Sequence, residues 1–418
     1  MRGKTLLKVF EAFAGYGSQR MALRNLGIEH EVVAISEFDK YADASYQAIH
    51  GETWNMGDIT KIDVNDVPEH DLFTYSFPCQ DISVAGKGKG FSKDSGTRSG
   101  LLWESERIIK AKKPKYLLME NVKNLISKKF MPGFAEWILV LEELGYSNYY
   151  EVLNAKDFGI PQNRERVFMV SILGEHEPYV FPKPIQLEKR LKDVLEDEVD
   201  ERYYLDDERA QQFIATMTDS NEIGYVPYKK DGKQHQSNTV YDKEKVAPTI
   251  EARDYKGAKQ TLEPERILGI FDKENSTHQS GSVYNKDKIA PTLDTMQGGW
   301  RQPSIIEPSF AVGSAQKNAS VTDGSYSPTL TSSMGTGGGH VPMFDEQYRI
   351  RKLTPLECWR LMDVTDEDFY KAQAVSSNSQ LYKQAGNSIV VAVLEAIFRN
   401  MFLEVPDEDL IGEHISLF

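Results

Sequence analysis

Cysteine is nearly missing from this 418-residue chain. Only Cys79 and Cys358 occur, with no CxxC pair, which excludes a disulfide framework and a cysteine-built zinc site. No metal site is expected. Long apolar runs are also missing: the best stretch, Ile389 to Phe398, contains Glu395 and falls far short of the roughly twenty residues of a membrane span. The amino-terminal MRGKTLLKVFEAFAG has no apolar core of signal-peptide length, so a cytoplasmic chain without membrane contact is expected. An excess of basic charge is lacking as well. Lys plus Arg number 49 against 63 Asp plus Glu, a net of −14, which speaks against a protein that coats nucleic acid through bulk charge. What is present is ordinary globular composition, 40% hydrophobic with 30 Gly, in a chain long enough for two or three domains.

Residues 5 to 175 alternate short apolar runs with helical patterns. Leu6–Phe10, Val32–Ser36, Leu72–Ser76, Tyr116–Met119 and Val167–Ile172 read as strands; Ser18–Leu26, Lys40–His50 and Gly133–Leu144 read as helices. This alternation predicts an α/β fold with a doubly wound, mostly parallel sheet that binds ligands at the strand carboxyl ends. Residues 192 to 222 then carry eleven acids against three bases, and 223 to 348 are rich in Gly, Ser, Thr, Asn and Pro. Within that region HQSNTVYDKEKVAPTIEAR from His235, HQSGSVYNKDKIAPTLDTMQGG from His278 and SVTDGSYSPTLTSSMGTGGG from Ser320 share an [AS]-P-T-[LI] core, which indicates a duplicated unit. Duplication for architecture alone is an equal reading. Helical periodicity returns at Thr354-Pro355-Leu356-Glu357, a good helix start, and a last helix follows Gly386-Asn387-Ser388.

Four short runs could carry chemistry. EAFAGYGS, Glu11 to Ser18, lies between a strand and a helix, where glycines let a ligand approach the backbone; a plain turn would look the same. Glu37-Phe38 at the next strand end could take ribose hydroxyls and stack an adenine, and Asp58 could accept from its amine; the bland alternative is a core aromatic with surface acids. YSFPCQDIS places Cys79 at a strand end before a Gly/Lys/Ser loop, Gly86 to Gly100, which suits a nucleophile under a lid, although a free cysteine is more often a small core hydrophobe. MENVKNL puts Glu120 at another strand end, where a dry site could make it a general acid. In QNRERVFMV, Arg164 and Arg166 lead into a strand, with surface salt bridging as the alternative.

FAGxGS, PCQ, ENV, QxRxR and GNS, in this order, resemble the bacterial and phage DNA (cytosine-5)-methyltransferases of restriction-modification type, over residues 5 to 175 and 349 to 400. The resemblance implies the Rossmann-like fold of S-adenosylmethionine-dependent methyltransferases with a smaller, irregular β-rich target-recognition domain. It implies a catalytic and cofactor-binding domain at 1–175 plus 376–403, a recognition domain at 176–375, and an acidic tail at 404–418. Cys79 would add to carbon 6 of a flipped cytosine, Glu120 would hold ring nitrogen 3, Arg166 the oxygen at position 2, and Arg164 is grouped with them as catalytic. S-adenosylmethionine, leaving as S-adenosylhomocysteine, would be held by Phe13, Ala14, Gly15, Gly17, Ser18, Glu37, Phe38, Asp58, Ile59, Phe77, Pro78, Asn387 and Ser388. Glu11 stands where the family has aspartate, and Ala85 where some relatives have serine; RKLTPLECWRLM, Arg351 to Met362, resembles the segment that organises the recognition domain.

Double-stranded DNA is the implied partner, contacted by Ser83, Lys87, Lys89 and Arg98 on the lid. In the recognition domain a Thr-Leu pair would touch the backbone near the flipped base, with a glutamine ahead of it filling the gap. The candidates are Thr249, Thr292 and Thr329, with Gln236 and Gln279. Thr329 matches best by distance to Arg351, Thr292 by local sequence. Tandem recognition modules with several target sequences are a further reading, as are action as a monomer and pairing with a restriction endonuclease. A tRNA cytosine-5 methyltransferase and a catalytically silent DNA-binding regulator are the alternatives; a nicotinamide dehydrogenase fits only the glycine turn. The net charge does not oppose DNA, because residues 79 to 130 hold twelve Lys or Arg against five acids, and affinity should fall with added salt.

Overall fold

A computed structural model describes residues 6–78, 82, 99–203, 222–225, 239–241, 266–269, 282–284, 290–291, 293, 304–313 and 343–403. The chain divides into two compact units, Met1–Lys189 with Thr292–Gln297 and Pro355–Phe418, and Arg190–Pro291 with Gly298–Thr354.

The first unit begins with β1 (Leu7–Ala12), α1 (Ser18–Asn25), β2 (His30–Ser36), α2 (Lys40–His50), β3 (Leu72–Tyr75), α3 (Leu102–Lys112), β4 (Tyr116–Val122), α4 (Met131–Glu143), β5 (Tyr146–Asn154), the two-residue β6 (Gln162–Asn163) and β7 (Glu165–Leu173). One six-stranded sheet runs β2-β1-β3-β4-β7-β5. Its first four strands are parallel and β7 is antiparallel to both neighbours, so the expected mostly parallel sheet is present. The central strands have no polar face to spare: β3, LFTY, is buried at every position, as strands covered on both sides must be. Phe10, Phe73, Tyr75, Leu117, Met119, Val167 and Met169 form its core with Trp103, Phe134 and Trp137 from the helices. Chain order moves outward from β1 to β2 on one side and to β3 on the other, a reversal that opens a crevice at the strand carboxyl ends.

After α5 (Pro355–Arg360) come α6 (Asp366–Gln373), α7 (Asn378–Asn387) and α8 (Val391–Phe402). These helices are part of the first unit, so its bounds differ from the 176–375 expected of the second domain. Packing gives the reason. Trp359 is fully buried, stacks on Tyr16 at 4.3 Å between centroids and donates to the Leu381 carbonyl at 2.9 Å. Asp368 of α6 pairs with Arg24 of α1, and Lys383 of α7 with Asp39 at the α2 cap. Residues just past 175 also stay with this unit: Asn400 donates to the Val180 carbonyl at 3.1 Å and Tyr179 to that of Ile397 at 3.3 Å. The apolar stretch Asn378–Phe402 is membrane-like in composition, yet it breaks at Ser388–Val390 into two helices with core-facing Leu381, Leu394, Ile397 and Phe398.

The second unit holds short strands: β8 (Glu222–Tyr225), β9 (Thr239–Tyr241), β10 (Arg266–Gly269), β11 (Ser282–Tyr284), β12 (Ala290–Pro291), β13 (Ser304–Gly313) and β14 (Met343–Lys352). The internal repeat is structural. Glu222, Gly224 and Tyr225 face Tyr241, Val240 and Thr239; Arg266, Leu268 and Gly269 face Tyr284, Val283 and Ser282, with the same irregularity after the first pair. The TVY of the first copy and the SVY of the second thus fill one position in equivalent antiparallel ladders. β10, β11, β13 and β14 continue as one four-stranded sheet.

Trp359→Ala is expected to lower the unfolding free energy by about 3–5 kcal/mol, since it empties a fully buried site and leaves the Leu381 carbonyl without its indole donor. Urea denaturation followed by far-UV circular dichroism would measure this; a loss under about 1 kcal/mol would mean that the helices after 355 do not stabilise the first unit.

Candidate active site

Two neighbouring strand ends define the first half of the site. Glu120 near the end of β4 is buried, and its Oε1 lies 3.2 Å from Nε of Arg166 on the adjacent β7. Burial pushes the Glu120 carboxyl above its ordinary value; Arg166, Arg164 and a hydrogen bond from Ser76 pull the other way. The following residues of the same run act on the neighbouring chain. Asn121 donates to the Phe77 carbonyl at 2.9 Å, and Asn124 donates to that of Ile82. The backbone on both sides of Cys79 is therefore tied to the segment that carries Glu120. Cys79 itself lies outside the described residues, as do Ser83, Lys87, Lys89, Arg98, Gln236, Thr249, Gln279, Thr292 and Thr329.

Arg164 has a different task from Arg166. It is 3% exposed, with Nη1 donating to the Leu293 carbonyl at 2.7 Å and Nη2 to those of Gly386 at 2.9 Å and Ser388 at 2.6 Å. Its own amide is fixed by Asn154 Oδ1 at 3.0 Å. This side chain is spent on main-chain acceptors, which makes it a clamp for the GNS segment.

The second half of the site is the turn after β1. Phe13, Gly15 and Gly17 all have left-handed backbones, with φ of 56°, 59° and 85°. Phe13 N–H reaches the Ser36 carbonyl at 2.7 Å, and Gly15 N–H reaches Glu37 Oε2 at 2.8 Å. Glu37 Oε1 accepts from Asp39 N–H at 2.7 Å, so each carboxylate oxygen keeps a second lone pair. Burial, first of all, lifts this carboxyl to about 6. Asn55 holds the Glu37 main chain from both sides at 3.0 Å. Beside it Phe38 is 78% exposed, a large ring left uncovered at a strand end. Asp58 accepts from Thr60 N–H at 3.1 Å and its hydroxyl at 2.9 Å. A Cβ on Gly15 would lie 3.7 Å from Ser388 Oγ, which places the turn beside the GNS segment; Asn387 there is exposed. Of the other expected contacts, Ala14 packs with Ile35 and Tyr46, Ile59 and Phe77 belong to the main core, and Ser18 is buried.

Behind this turn sits a buried ionisable group whose role the sequence left open. Glu11 is fully buried and accepts from the Tyr46 hydroxyl at 2.8 Å, while its Oε1 has no hydrogen-bond partner. Desolvation pushes its carboxyl up to about 7. His50 lies 3.0 Å from the Tyr16 carbonyl through Nε2, so that nitrogen carries the proton; burial holds the ring neutral, down to about 3. A side chain at Gly17 would meet His50 Nε2 at 2.4 Å and Tyr46 Cε2 at 2.7 Å. Gly17 therefore has two reasons to be glycine.

The sequence pointed to Glu120, Arg166, Glu37 and Phe38, and the structure brings Glu120 and Arg166 together. It passed over Asn121 and Asn124, although both stand inside a run already singled out. Asn55 carried no signal, because its partner Glu37 is eighteen residues away.

Glu11 gives a pH prediction. Its native carboxyl, near 7, holds a proton more tightly than the ordinary value near 4.5, so the stability linked to it is full below pH 4.5 and lost as pH rises through 7. The loss is on the order of 3 kcal/mol. Glu11→Gln removes that dependence, and the Tm difference between variant and native chain is expected to shift in the variant's favour from pH 5 to pH 8. A difference that stays constant across this range would show that Glu11 does not change protonation there.

Comparison with known proteins now bears on this geometry. Residues 7–403 match the family model described as C-5 cytosine-specific DNA methylase. The chain is 35% identical to the type II methyltransferase M2.ScrFI of Lactococcus lactis subsp. cremoris, covering 95% of this chain and 99% of that one. It is 33% identical to the orphan methyltransferase M.SPBetaI of Bacillus phage SPbeta, covering 94% and 97%. Among solved structures it resembles the Dnmt2 methyltransferase of S. pombe, with a TM-score of 0.56 at 16% identity over 94% of this chain and 97% of that one, and the methyltransferase EhMeth of Entamoeba histolytica, with 0.59 at 14% over 95% and 98%; these two likenesses bear on fold alone. Of the readings left by the sequence, the family match carries the DNA-directed one: the chain belongs to the C-5 cytosine-specific DNA methylase family and is a DNA (cytosine-5)-methyltransferase.

Proposed function

We propose that the chain methylates cytosine by covalent catalysis, with Cys79 as nucleophile, Glu120 as general acid and Arg166 as its charged partner, on a base turned out of the duplex. One observation supports this most directly: Glu120, buried against Arg166 of the adjacent β7, sits on the segment whose Asn121 and Asn124 hold the carbonyls of Phe77 and Ile82, on either side of Cys79.

The chemistry follows from the ring. Carbon 5 of cytosine is too weak a nucleophile to take a methyl group unaided. Addition of the Cys79 thiolate to carbon 6 forms a C–S bond and pushes the π pair toward carbon 5, with negative charge spreading to ring nitrogen 3 and the oxygen at position 2. A carboxyl raised by burial can give its proton to nitrogen 3, and a guanidinium can stabilise the oxygen. Once carbon 5 is methylated, a base takes its proton, the C–S bond breaks with its electron pair returning to sulfur, and nitrogen 3 gives its proton back to Glu120, so that the neutral ring, the free thiolate and the carboxyl are all restored. Arg164 takes no part in this sequence; it positions the Gly386–Ser388 segment.

Enzymes of this family take the methyl group from S-adenosylmethionine, which supplies an electrophilic carbon and departs as S-adenosylhomocysteine. The turn after β1 fits it. Left-handed Gly15 and Gly17 let a ligand approach the main chain, the spare lone pairs of Glu37 suit a ribose diol, and uncovered Phe38 offers a ring face to adenine. Asp58 and Asn387 complete the set. The second unit, with its repeated ladders, serves in this reading as the target-recognition domain. Action as a monomer, and functional pairing with a restriction endonuclease that cuts the same sequence when unmethylated, also belong to it.

DNA carrying 5-fluorocytosine at the target tests the mechanism. Fluorine cannot leave carbon 5 as a cation, so the C–S bond is expected to persist and the protein–DNA adduct to survive denaturing electrophoresis, only when S-adenosylmethionine is present. Cys79→Ser is expected to abolish both the adduct and methylation of ordinary DNA. An adduct that still forms in that variant would overturn the assignment.

A further inference from the structure

Phe38 is 78% exposed, so its ring is aimed by the main chain on either side of it rather than by packing. The strand side is tied by Asn55, which holds the Glu37 N–H and carbonyl. The helix side is tied from α7. Lys383 Nζ pairs with Asp39 Oδ2, while Asp39 Oδ1 accepts from Tyr41 N–H at 2.9 Å as the cap of α2. The next residue, buried Gln384, donates to the Tyr41 carbonyl at 3.0 Å and accepts from the Ser45 hydroxyl at 3.0 Å. α7 ends at Asn387, one residue before the Ser388 hydroxyl that lies beside Gly15. One helix thus borders both the glycine turn and the strand end that carries Glu37 and Phe38.

Charge gives the Lys383–Asp39 pair a second consequence. Asp39 N–H donates to Glu37 Oε1 at 2.7 Å, which holds two acidic residues side by side at the place where ribose hydroxyls would be accepted. Burial, and after it the negative charges of Asp39 and Asp43 on α2, push the Glu37 carboxyl up, while the N–H donors of Asp39 and Gly15 pull it down. Lys383 is the cation set against the nearer of those two acids. Against the push of burial, its hydrogen bond and that of Tyr41 N–H hold the Asp39 carboxyl below its ordinary value, so Asp39 is charged near neutral pH. The state of Glu37 matters for the ligand: ionised, it offers a lone pair on each oxygen, whereas a proton turns one of those oxygens into a donor.

Resting on the proposed cofactor site, we infer that Lys383 is a positioning residue of that site, which acts through Asp39: it offsets the negative charge beside Glu37, so that Glu37 stays an acceptor, and it fixes the main chain that aims Phe38. A binding site performs only as well as the groups behind it are held. The nearest contact of Lys383 is an acid, yet its effect is read at the next carboxylate along the chain.

Binding of S-adenosylhomocysteine, measured by calorimetry from pH 5 to pH 8 on the full chain, separates this role from simple support of the fold. In the native chain affinity is expected to fall as pH drops through about 6, where Glu37 takes up its proton. Lys383→Met leaves the Asp39 charge without its partner, so the fall is expected to begin at higher pH and affinity at pH 7 to drop about fivefold. Asp39→Asn keeps a good helix cap but removes the negative charge, and the fall is expected to move to lower pH. Lys383→Arg should match the native curve within about twofold. Lys383→Gln, a donor without charge, should move it in the same direction as Lys383→Met and serves where that variant does not fold. Curves for the Lys383 and Asp39 variants that move in the same direction, or keep the native midpoint, would overturn the inference, as would a native affinity that is flat over this range; in each case binding by the native chain leaves the proposed function standing. A native chain that binds no S-adenosylhomocysteine at any of these pH values would overturn the proposed cofactor site, and this inference with it.

Discussion

A guanidinium cut off from water has to be satisfied by the fold itself, and Arg164 is the clearest case in this molecule. Leaving such a charge uncompensated costs several kcal/mol, and Arg164 avoids this by donating to three carbonyls that belong to two distant segments, at 293 and at 386 and 388. The C-terminal helices therefore have to return to the edge of β7 to meet it. That return carries Trp359 onto Tyr16 and Asp368 onto Arg24, so the turn after β1 acquires a back wall from residues more than 340 positions away. One buried cation thus joins the strand that bears Arg166, the GNS segment beside Gly15, and Leu293. Its position in sequence so near Arg166 hides this difference: alternate residues in one short run do unlike work, one toward the Glu120 carboxylate and one toward main-chain carbonyls.

The same logic of desolvation shapes the carboxyls at the strand ends. Glu120 and Glu37 are both carboxyls raised by burial, yet their surroundings suit opposite tasks. Glu120 lies against a guanidinium at the end of β4, where a proton can be held near a base. Glu37 accepts one main-chain N–H on each oxygen and keeps a lone pair on each, which suits an acceptor of hydroxyls. Glu11, behind the turn, is raised to about 7 by burial, against the pull of the Tyr46 hydroxyl and the nearby Arg20. A carboxyl with one partnered oxygen in a dry site is better tolerated neutral than charged, which lets it support the turn without adding a second negative charge near Glu37.

Much of this was legible in the sequence because strand-helix alternation and strand-end motifs are local signals. The runs at 11–18, 75–83, 119–125 and 162–170 all fall at ends of sheet strands, as doubly wound topology requires. What escaped was non-local. β5, with exposed or half-exposed positions along most of YSNYYEVLN, sits at the sheet edge and has no continuous apolar run to announce it. The helices after 355 look like part of whatever precedes them until Trp359 is seen against Tyr16. The two-point clamp on Leu293 comes from residues 129 and 131 positions away, and no window of sequence contains both ends.

Charge is where counting and geometry diverge most. The twelve cations between 79 and 130 suggest a positive face, but several of those in the described part are already engaged. Arg107 donates to the carbonyls of Ile59 and Ile62, Lys115 to that of Leu173, and Lys110, Lys112 and Lys123 pair with Glu106, Glu69 and Glu165. Arg107 and Lys115 are structural, since they satisfy main-chain acceptors at the ends of elements. The exposed pair Lys123–Glu165 contributes little to stability and can exchange its carboxylate for a phosphate at small cost. The positive field that a duplex would meet is therefore weaker than the sequence sum. In a chain whose net charge is −14, a field reduced in this way favours a short grip on the duplex over a long electrostatic contact along it.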